Sequence, residues 1–400
     1  MTKKTRVTPG RVPFTWRKLV TAGAIAACAP AVTAIPFASA SAEQIESISW
    51  SIQRQSGSTD EIQLTVDSRW GAHSRSNWSN TRRLEELQGL SAAQLMGPSQ
   101  PVRFALVKEA GRLDCAGTAG AGRGSGQCSY TPNAAFAAYL QAHGIGTPEP
   151  HQSYSLTMSG VGRDLVEALD QSGFTRPDID QLTAMGIHGA TASYVRELGG
   201  LGYRLSPDDL VAFKIHGVKT DYIRQMATIG PALQHISPSD LVALNIHGVK
   251  PEFVREMAAI GPAFRNVSAD DLVSMAIHGV RPEMARAYVQ LEGGRLNADD
   301  VVSMAIHGVT ADFLQQMAAL GYRNFSADDV VSMAIHGVSS NYLKQLAAIG
   351  YRDFSADDLV SMSIHGVTPD YVRRLQQNGM AHLSADQLVR LRLSGFEPNR

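Results

Sequence analysis

The chain has 400 residues, 36 Lys+Arg against 37 Asp+Glu, and 44% apolar residues. That balance excludes wholesale disorder, and the length allows two or three domains. The near-zero charge conceals an uneven distribution, because the N-terminus is basic and the remainder acidic.

Residues 1–18 hold Lys3, Lys4, Arg6, Arg11, Arg17 and Lys18 and no acid. An Ala-rich apolar run follows over residues 19–35, and then Ala38-Ser39-Ala40-Ser41-Ala42. Basic, apolar and small residues in that order read as a secretory signal peptide over residues 1–42, cleaved after Ala40 or Ala42. An uncleaved membrane anchor and a lipoprotein processed at Cys28, preceded by Ile25-Ala26-Ala27, are the competing readings. The mostly alanine run and Pro30 make a poor span, and nothing later is apolar enough to cross a membrane. Cleavage removes six of the 36 bases and leaves 30 Lys+Arg against 37 Asp+Glu, about −7. The chain is expected to be exported to the periplasm, and being acidic it lacks the basic footprint that nucleic acid requires, so no nucleic-acid partner is expected.

Residues 43–150 alternate apolar and polar positions with a period of two, at residues 48–52 and again at 62–66. This is the pattern of strands with one buried face. Residues 102–107, 113–116 and 127–130 continue it as a meander, and residues 133–143 read as a short helix. Cys115 and Cys128 flank a Gly-rich stretch and are expected to form a disulfide that ties the last hairpin, since zinc would need further ligands nearby. Closing a loop of about 14 residues contributes on the order of 3 kcal/mol. The Gly-rich residues 120–126 match no phosphate-binding spacing and are expected to be a flexible hairpin loop. Trp50, Trp70 and Trp78 are assigned to the core and its rim.

From residue 151 a repeat takes over. Ile-His-Gly recurs with histidines at His188, His216, His247, His278, His307, His336 and His365, separated by 28, 31, 31, 29, 29 and 29 residues. Such self-similarity denotes a solenoid. Met158-Ser159-Gly160-Val161 and Leu393-Ser394-Gly395-Phe396 are degenerate flanking copies without the histidine. In the unit over residues 268–296, Ser268 is expected to be the N-cap of a first helix, with Asp270 and Asp271 in its first turn. Leu272, Val273 and Ile277 are assigned to its apolar face, and the helix is expected to end at His278 because Gly279 can turn left-handed. Val280 then staples back onto Met275 in a Schellman ending. A second short helix follows at once, with Thr368-Pro369 and Lys250-Pro251 as its openings. The copy after His278 departs most, with Met284-Ala285-Arg286-Ala287-Tyr288 and Gly293-Gly294, and a bend or contact site is expected there.

The seven histidines suggest metal binding, but solenoid layers stand about 8 to 10 Å apart, too far for neighbouring rings to share one ion. The expected role is a helix C-cap whose ring packs in the turn, with a pH response as a second possibility. The paired aspartates are expected to cap first turns. No nucleophile elbow, P-loop, His-Glu-x-x-His or Cys-x-x-Cys occurs, so no catalytic residue, metal or cofactor is assigned and the chain is not expected to be an enzyme.

Residues 355–369, Ser-Ala-Asp-Asp-Leu-Val-Ser-Met-Ser-Ile-His-Gly-Val-Thr-Pro, resemble helical repeats of uncharacterised exported bacterial proteins. They are similar to repeats appended to some transmembrane metallopeptidases of the β-lactam-sensor type. The resemblance covers roughly residues 160–395 and carries no assigned activity; the peptidase motif is absent. The expectation is an α+β chain, with a small antiparallel β-rich module at residues 43–150 and an α-solenoid of two-helix repeats at residues 151–400. The expected function is an exported scaffold that offers a long surface to a protein partner. The alternatives are an accessory protein of an envelope enzyme, or a hydrolase with its site in the β-rich module.

Overall fold

A computed structural model describes residues 45–55, 60–71, 74–292, 296–323 and 325–398. The signal-peptide segment, Cys28 and Gly293-Gly294 lie outside these. The described chain is α+β: a seven-stranded antiparallel sheet followed by a two-layer helical array. No described helix is long and apolar enough to cross a membrane.

The strands are β1 (Ile45–Arg54), β2 (Glu61–Trp70), β3 (Ser74–Arg83), β4 (Leu87–Gln88), β5 (Gln100–Lys108), β6 (Gly111–Gly120) and β7 (Arg123–Pro132). Their order across the sheet is β3-β2-β1-β7-β6-β5-β4. Alternation puts Ile48, Trp50 and Ile52 of β1 and Ile62, Leu64 and Val66 of β2 on one buried face, as a period of two requires. Short helix α1 (Ala92–Met96) contributes Leu95 to the same core.

The Gly-rich stretch is not a loop. β6 and β7 run through it, and only Ala121 and Gly122 turn, both with positive φ (52° and 78°) as a two-residue hairpin requires. The glycines are there because the Trp50 indole lies across them. A Cβ on Gly117 would stand 2.8 Å from Trp50, one on Gly124 3.0 Å, and one on Gly126 2.8 Å from the indole Nε1 and 2.1 Å from the Ala116 carbonyl oxygen. The indole N–H donates to that same carbonyl, and the ring meets Phe104 edge-on at 4.9 Å. Bare backbone therefore forms the floor of a tryptophan site, and residues without side chains show no alternation to read. Cys115 and Cys128 sit opposite each other in the β6–β7 register, Cα atoms 4.0 Å apart, and form the disulfide. Trp50 and Trp70 are buried and Trp78 packs at the rim.

The array consists of first helices α3 (Pro150–Ser159), α5 (Ile179–Ile187), α7 (Pro207–Ile215), α9 (Pro238–Ile246), α11 (Ala269–Ile277), α13 (Ala298–Ile306), α15 (Ala327–Ile335), α17 (Ala356–Ile364) and α19 (Ala385–Leu393). Alternating with them are second helices α4 (Arg163–Ser172), α6 (Ala192–Gly200), α8 (Thr220–Ala227), α10 (Pro251–Ile260), α12 (Pro282–Glu292), α14 (Ala311–Ala319), α16 (Ser340–Ala348) and α18 (Pro369–Gln377). Each first helix packs on the next first helix and each second helix on the next second helix. At eight to eleven residues none is stable alone, so the layers hold one another. One contiguous core runs the length of the array and begins ahead of residue 151, with Phe136 and Leu140 of α2 (Ala134–Ala142).

Helix α3 joins the two parts. Leu156 faces the array, whereas Tyr154 and Met158 enter the core of the sheet, where Tyr154 meets Trp70 and Tyr130 edge-on at 5.4 Å each. The Tyr130 hydroxyl lies 3.0 Å from Thr157 Oγ1. Burial pushes the Tyr154 and Tyr130 hydroxyls up to about 12.

Replacing Gly126 by Val is expected to destabilise the sheet by at least about 2 kcal/mol, because the added carbons displace Trp50 or the β6 backbone. Near-ultraviolet circular dichroism of the tryptophans and a denaturant titration check this; an unchanged midpoint would refute the packing argument.

Candidate functional site

The repeat turn is built from local bonds. His188, His216, His247, His278, His307, His336 and His365 are each the C-cap of a first helix. The next residue, glycine, is left-handed in every case, as at Gly279 (φ 65°). The N–H of Val280 donates to Met275 O (2.9 Å) and that of Gly279 to Ala276 O (3.2 Å), the paired bonds of a Schellman ending. The same bond links Val218 to Phe213, Val249 to Leu244, Val309 to Met304, Val338 to Met333 and Val367 to Met362, at 2.8 to 2.9 Å. The degenerate copies keep the turn too, through Val161 to Leu156 and Phe396 to Leu391.

At the other end of these helices the second aspartate of each pair closes a capping box. Asp329 accepts from the Ser326 backbone N–H (2.9 Å) and returns its own N–H to Ser326 Oγ (3.1 Å). Asp209, Asp271, Asp300 and Asp358 do likewise with Ser206, Ser268, Asn297 and Ser355.

Two sequence expectations fail at this turn. The histidine rings do not pack into it: all seven residues are exposed. Ile277 is not part of the core face either, being 57% exposed, and Ile187, Ile215, Ile246, Ile306, Ile335 and Ile364 are 52–55% exposed. The reason is angular. Leu272 and Met275 point inward, and a residue two beyond Met275 is rotated by about 200°, away from them. Two of the histidine carbonyls accept from the next layer: Asn245 Nδ2 donates to His216 O, and Ser363 Oγ to His336 O (2.7 Å). Among the described residues no three His, Cys, Asp or Glu side chains are grouped to hold a metal ion.

A tyrosine ladder, not anticipated from the sequence, ties the layers together. Six residues after the histidine stand Tyr194, Tyr222, Phe253, Phe313, Tyr342 and Tyr371. Each tyrosine donates to a carbonyl of the following turn: Tyr194 to Val218 (2.7 Å), Tyr222 to Val249, Tyr342 to Val367 and Tyr371 to Phe396 (2.9 Å each). The recurrence of an aromatic at a fixed offset was the available signal. Burial raises all four hydroxyls above their ordinary range, that of Tyr222 to about 12.

A cleft of about 440 Å³ opens beside the second turn, lined by Tyr194, Glu197, Lys214, Val218, Lys219 and Thr220. Glu197 and Lys214 are already engaged. Glu197 accepts from Thr220 Oγ1 (2.5 Å), Ser193 Oγ (3.2 Å) and Arg224 (3.2 Å), and the Thr220 and Ser193 bonds hold its carboxyl below the ordinary range. The Lys214 ammonium lies 4.7 Å above the Tyr194 ring. The arrangement fixes one layer on the next.

Compared with known protein families and with the curated proteins, the chain matches none.

The raised tyrosines give the array an alkaline limit. The folded state favours the neutral hydroxyl, so the stabilisation is whole below the ordinary value of 10.0 and is lost as pH rises towards about 12. Melting temperature is expected to fall across that window, and to fall less in Tyr222→Phe, which costs about 1 kcal/mol at neutral pH by leaving the Val249 carbonyl without its donor. Thermal melts between neutral pH and the alkaline limit check both; identical pH dependence in the two chains would discount the ladder.

Proposed function

We propose that the protein is an exported scaffold whose helical array presents an extended surface to a protein partner in the envelope, and that the chain itself carries out no catalytic step. The observation that carries this reading is the contrast within each repeat. Turn and core residues recur from copy to copy, whereas the outer positions of the second helices vary more: Arg196-Glu197, Arg224-Gln225 and Arg255-Glu256 in earlier copies give way to Gln315-Gln316, Lys344-Gln345 and Arg373-Arg374 in later ones. One frame whose outward residues are exchanged in some of its layers is how repeat proteins build a specific surface.

The ion pairs on this face are exposed, such as Arg286–Glu256 at 3.0 Å and Arg255–Glu252 at 3.2 Å. Pairs of this kind are worth at most about 1 kcal/mol each, so a partner can exchange them at little cost. Export is supported by the leader read at residues 1–42, by the Cys115–Cys128 disulfide, which persists in an oxidising compartment, and by the resemblance of the repeats to those of exported bacterial proteins.

Crosslinking of the full chain in intact envelopes, followed by purification, is expected to capture one protein in stoichiometric amount. The charge reversals Lys344→Glu and Arg373→Glu are expected to abolish that capture while the melting temperature stays within a few degrees. Capture of nothing, or capture indifferent to both substitutions, would overturn the reading.

A further inference from the structure

The exposed isoleucines are left half uncovered by the described residues. Ile187, Ile215, Ile246, Ile277, Ile306, Ile335 and Ile364 recur at the last residue of successive first helices, and Leu393, 64% exposed, takes the eighth place. The helices that carry them stack layer on layer, so the eight positions recur in a line along one edge of the array. Isolated exposed apolar residues are unremarkable, but an exposed apolar residue at the same place in every layer is not.

We infer that this line is an interface between two copies of the chain, paired antiparallel. Three observations support a second copy as the occupant. The first is continuity with an interface already present. In the degenerate first copy the same position is Met158, 29 residues before Ile187, and there it is covered: it is 2% exposed, in the core of the sheet, with its carbonyl accepting from Arg82 Nη2 (3.0 Å). The line is thus a surface that the protein covers wherever it has something to cover it with, and the sheet ends where the free isoleucines begin.

The second is area and period. A half-exposed isoleucine presents on the order of 90 Å² of apolar surface, so the eight positions present roughly 700 Å², close to the ~800 Å² per partner of a stable interface. Only a surface with the same spacing can meet every member, and this chain carries one.

The third is charge. The residue that follows the turn valine is Lys219, Lys250 and Arg281 in the earlier copies, and Thr310, Ser339 and Thr368 in the later ones, all exposed. In a parallel pair each copy meets its own counterpart, and the cation-bearing copies crowd together. In an antiparallel pair Ile277 meets the partner copy's Ile306, Ile246 meets Ile335 and Ile215 meets Ile364. The cations at Arg281, Lys250 and Lys219 then lie beside Thr310, Ser339 and Thr368, so that among these six positions no like charges are opposed.

The inference is independent of the partner surface on the second helices and is tested without any partner. Sedimentation velocity of the purified full chain is expected to show twice the chain mass at micromolar concentration. Ile277→Ser combined with Ile306→Ser is expected to weaken the pair by at least about 100-fold. Both residues are exposed, so the melting temperature of the monomer should hold; Ile246→Ser with Ile335→Ser gives the same readout should the first pair disturb folding. On mild oxidation, an equimolar mixture of Ile277→Cys and Ile306→Cys chains is expected to crosslink, and Ile187→Cys chains alone are not. A chain that is monomeric at about 100 μM overturns the proposal, as does a dimer indifferent to both serine pairs. Efficient crosslinking of Ile187→Cys to itself overturns the antiparallel arrangement. A monomer that floats with phosphatidylcholine vesicles, and loses this with the serine pairs, assigns the line to a lipid surface instead and overturns the dimer.

Discussion

The array depends on one bond repeated in every copy, from the N–H that follows the turn glycine to a carbonyl five residues earlier. That bond requires the glycine to be left-handed, at φ values near 70°, where a side chain would be strained. It also throws the valine back against the residue whose carbonyl it uses, so Val280 and Met275 are buried by the same event that ends the helix. Helix length, the angle of departure of the second helix and one core contact are thereby set together. Because the turn recurs in each copy, the two helices of every unit leave it in the same way, whatever the length of the connection to the next unit.

Layers so defined still have to be joined, and polar groups contribute as much to this as apolar ones. The tyrosine hydroxyls of one unit satisfy valine carbonyls of the next, which removes buried acceptors that would otherwise be unpaired. Capping boxes finish the opposite end of the helices, so the orphan N–H groups of many short helices are met by side chains a few residues away. At the start of the array the sheet takes the part of a preceding layer. Tyr154 fills its core as an inward residue of a repeat would fill its neighbour's, and the polar Thr157 is buried by pairing with Tyr130 and with the Ser153 carbonyl.

Period, cap residues and turn glycines were readable in the amino-acid order because each acts over a few residues. Three features were not. β3 carries Ser-Arg-Ser-Asn-Trp-Ser-Asn-Thr-Arg-Arg and lies at the sheet edge, where it buries too little to show an apolar alternation. β6 and β7 pass through glycines whose strand character comes from pairing and from the indole above them, not from their own side chains. The isoleucine of the repeated triplet is apolar and recurrent, properties shared by core residues, and only its rotation about the helix axis distinguishes it.

The sequence by itself therefore determined the two-part architecture, the seven-fold turn with its Schellman bonds and the cysteine pair, because propensity, left-handed glycine and near-neighbour hydrogen bonds are local matters. Tertiary structure alone decided which apolar residues are covered. Gly126 is bare because Trp50, 76 residues away, needs the space. Met158 is buried because a sheet stands beside it, and Ile187, in the same place on the next first helix, is exposed because no described residue reaches that far. Burial is a property of neighbours brought from a distance, and the Ile-His pair of each turn acquires its meaning only from what stands opposite it.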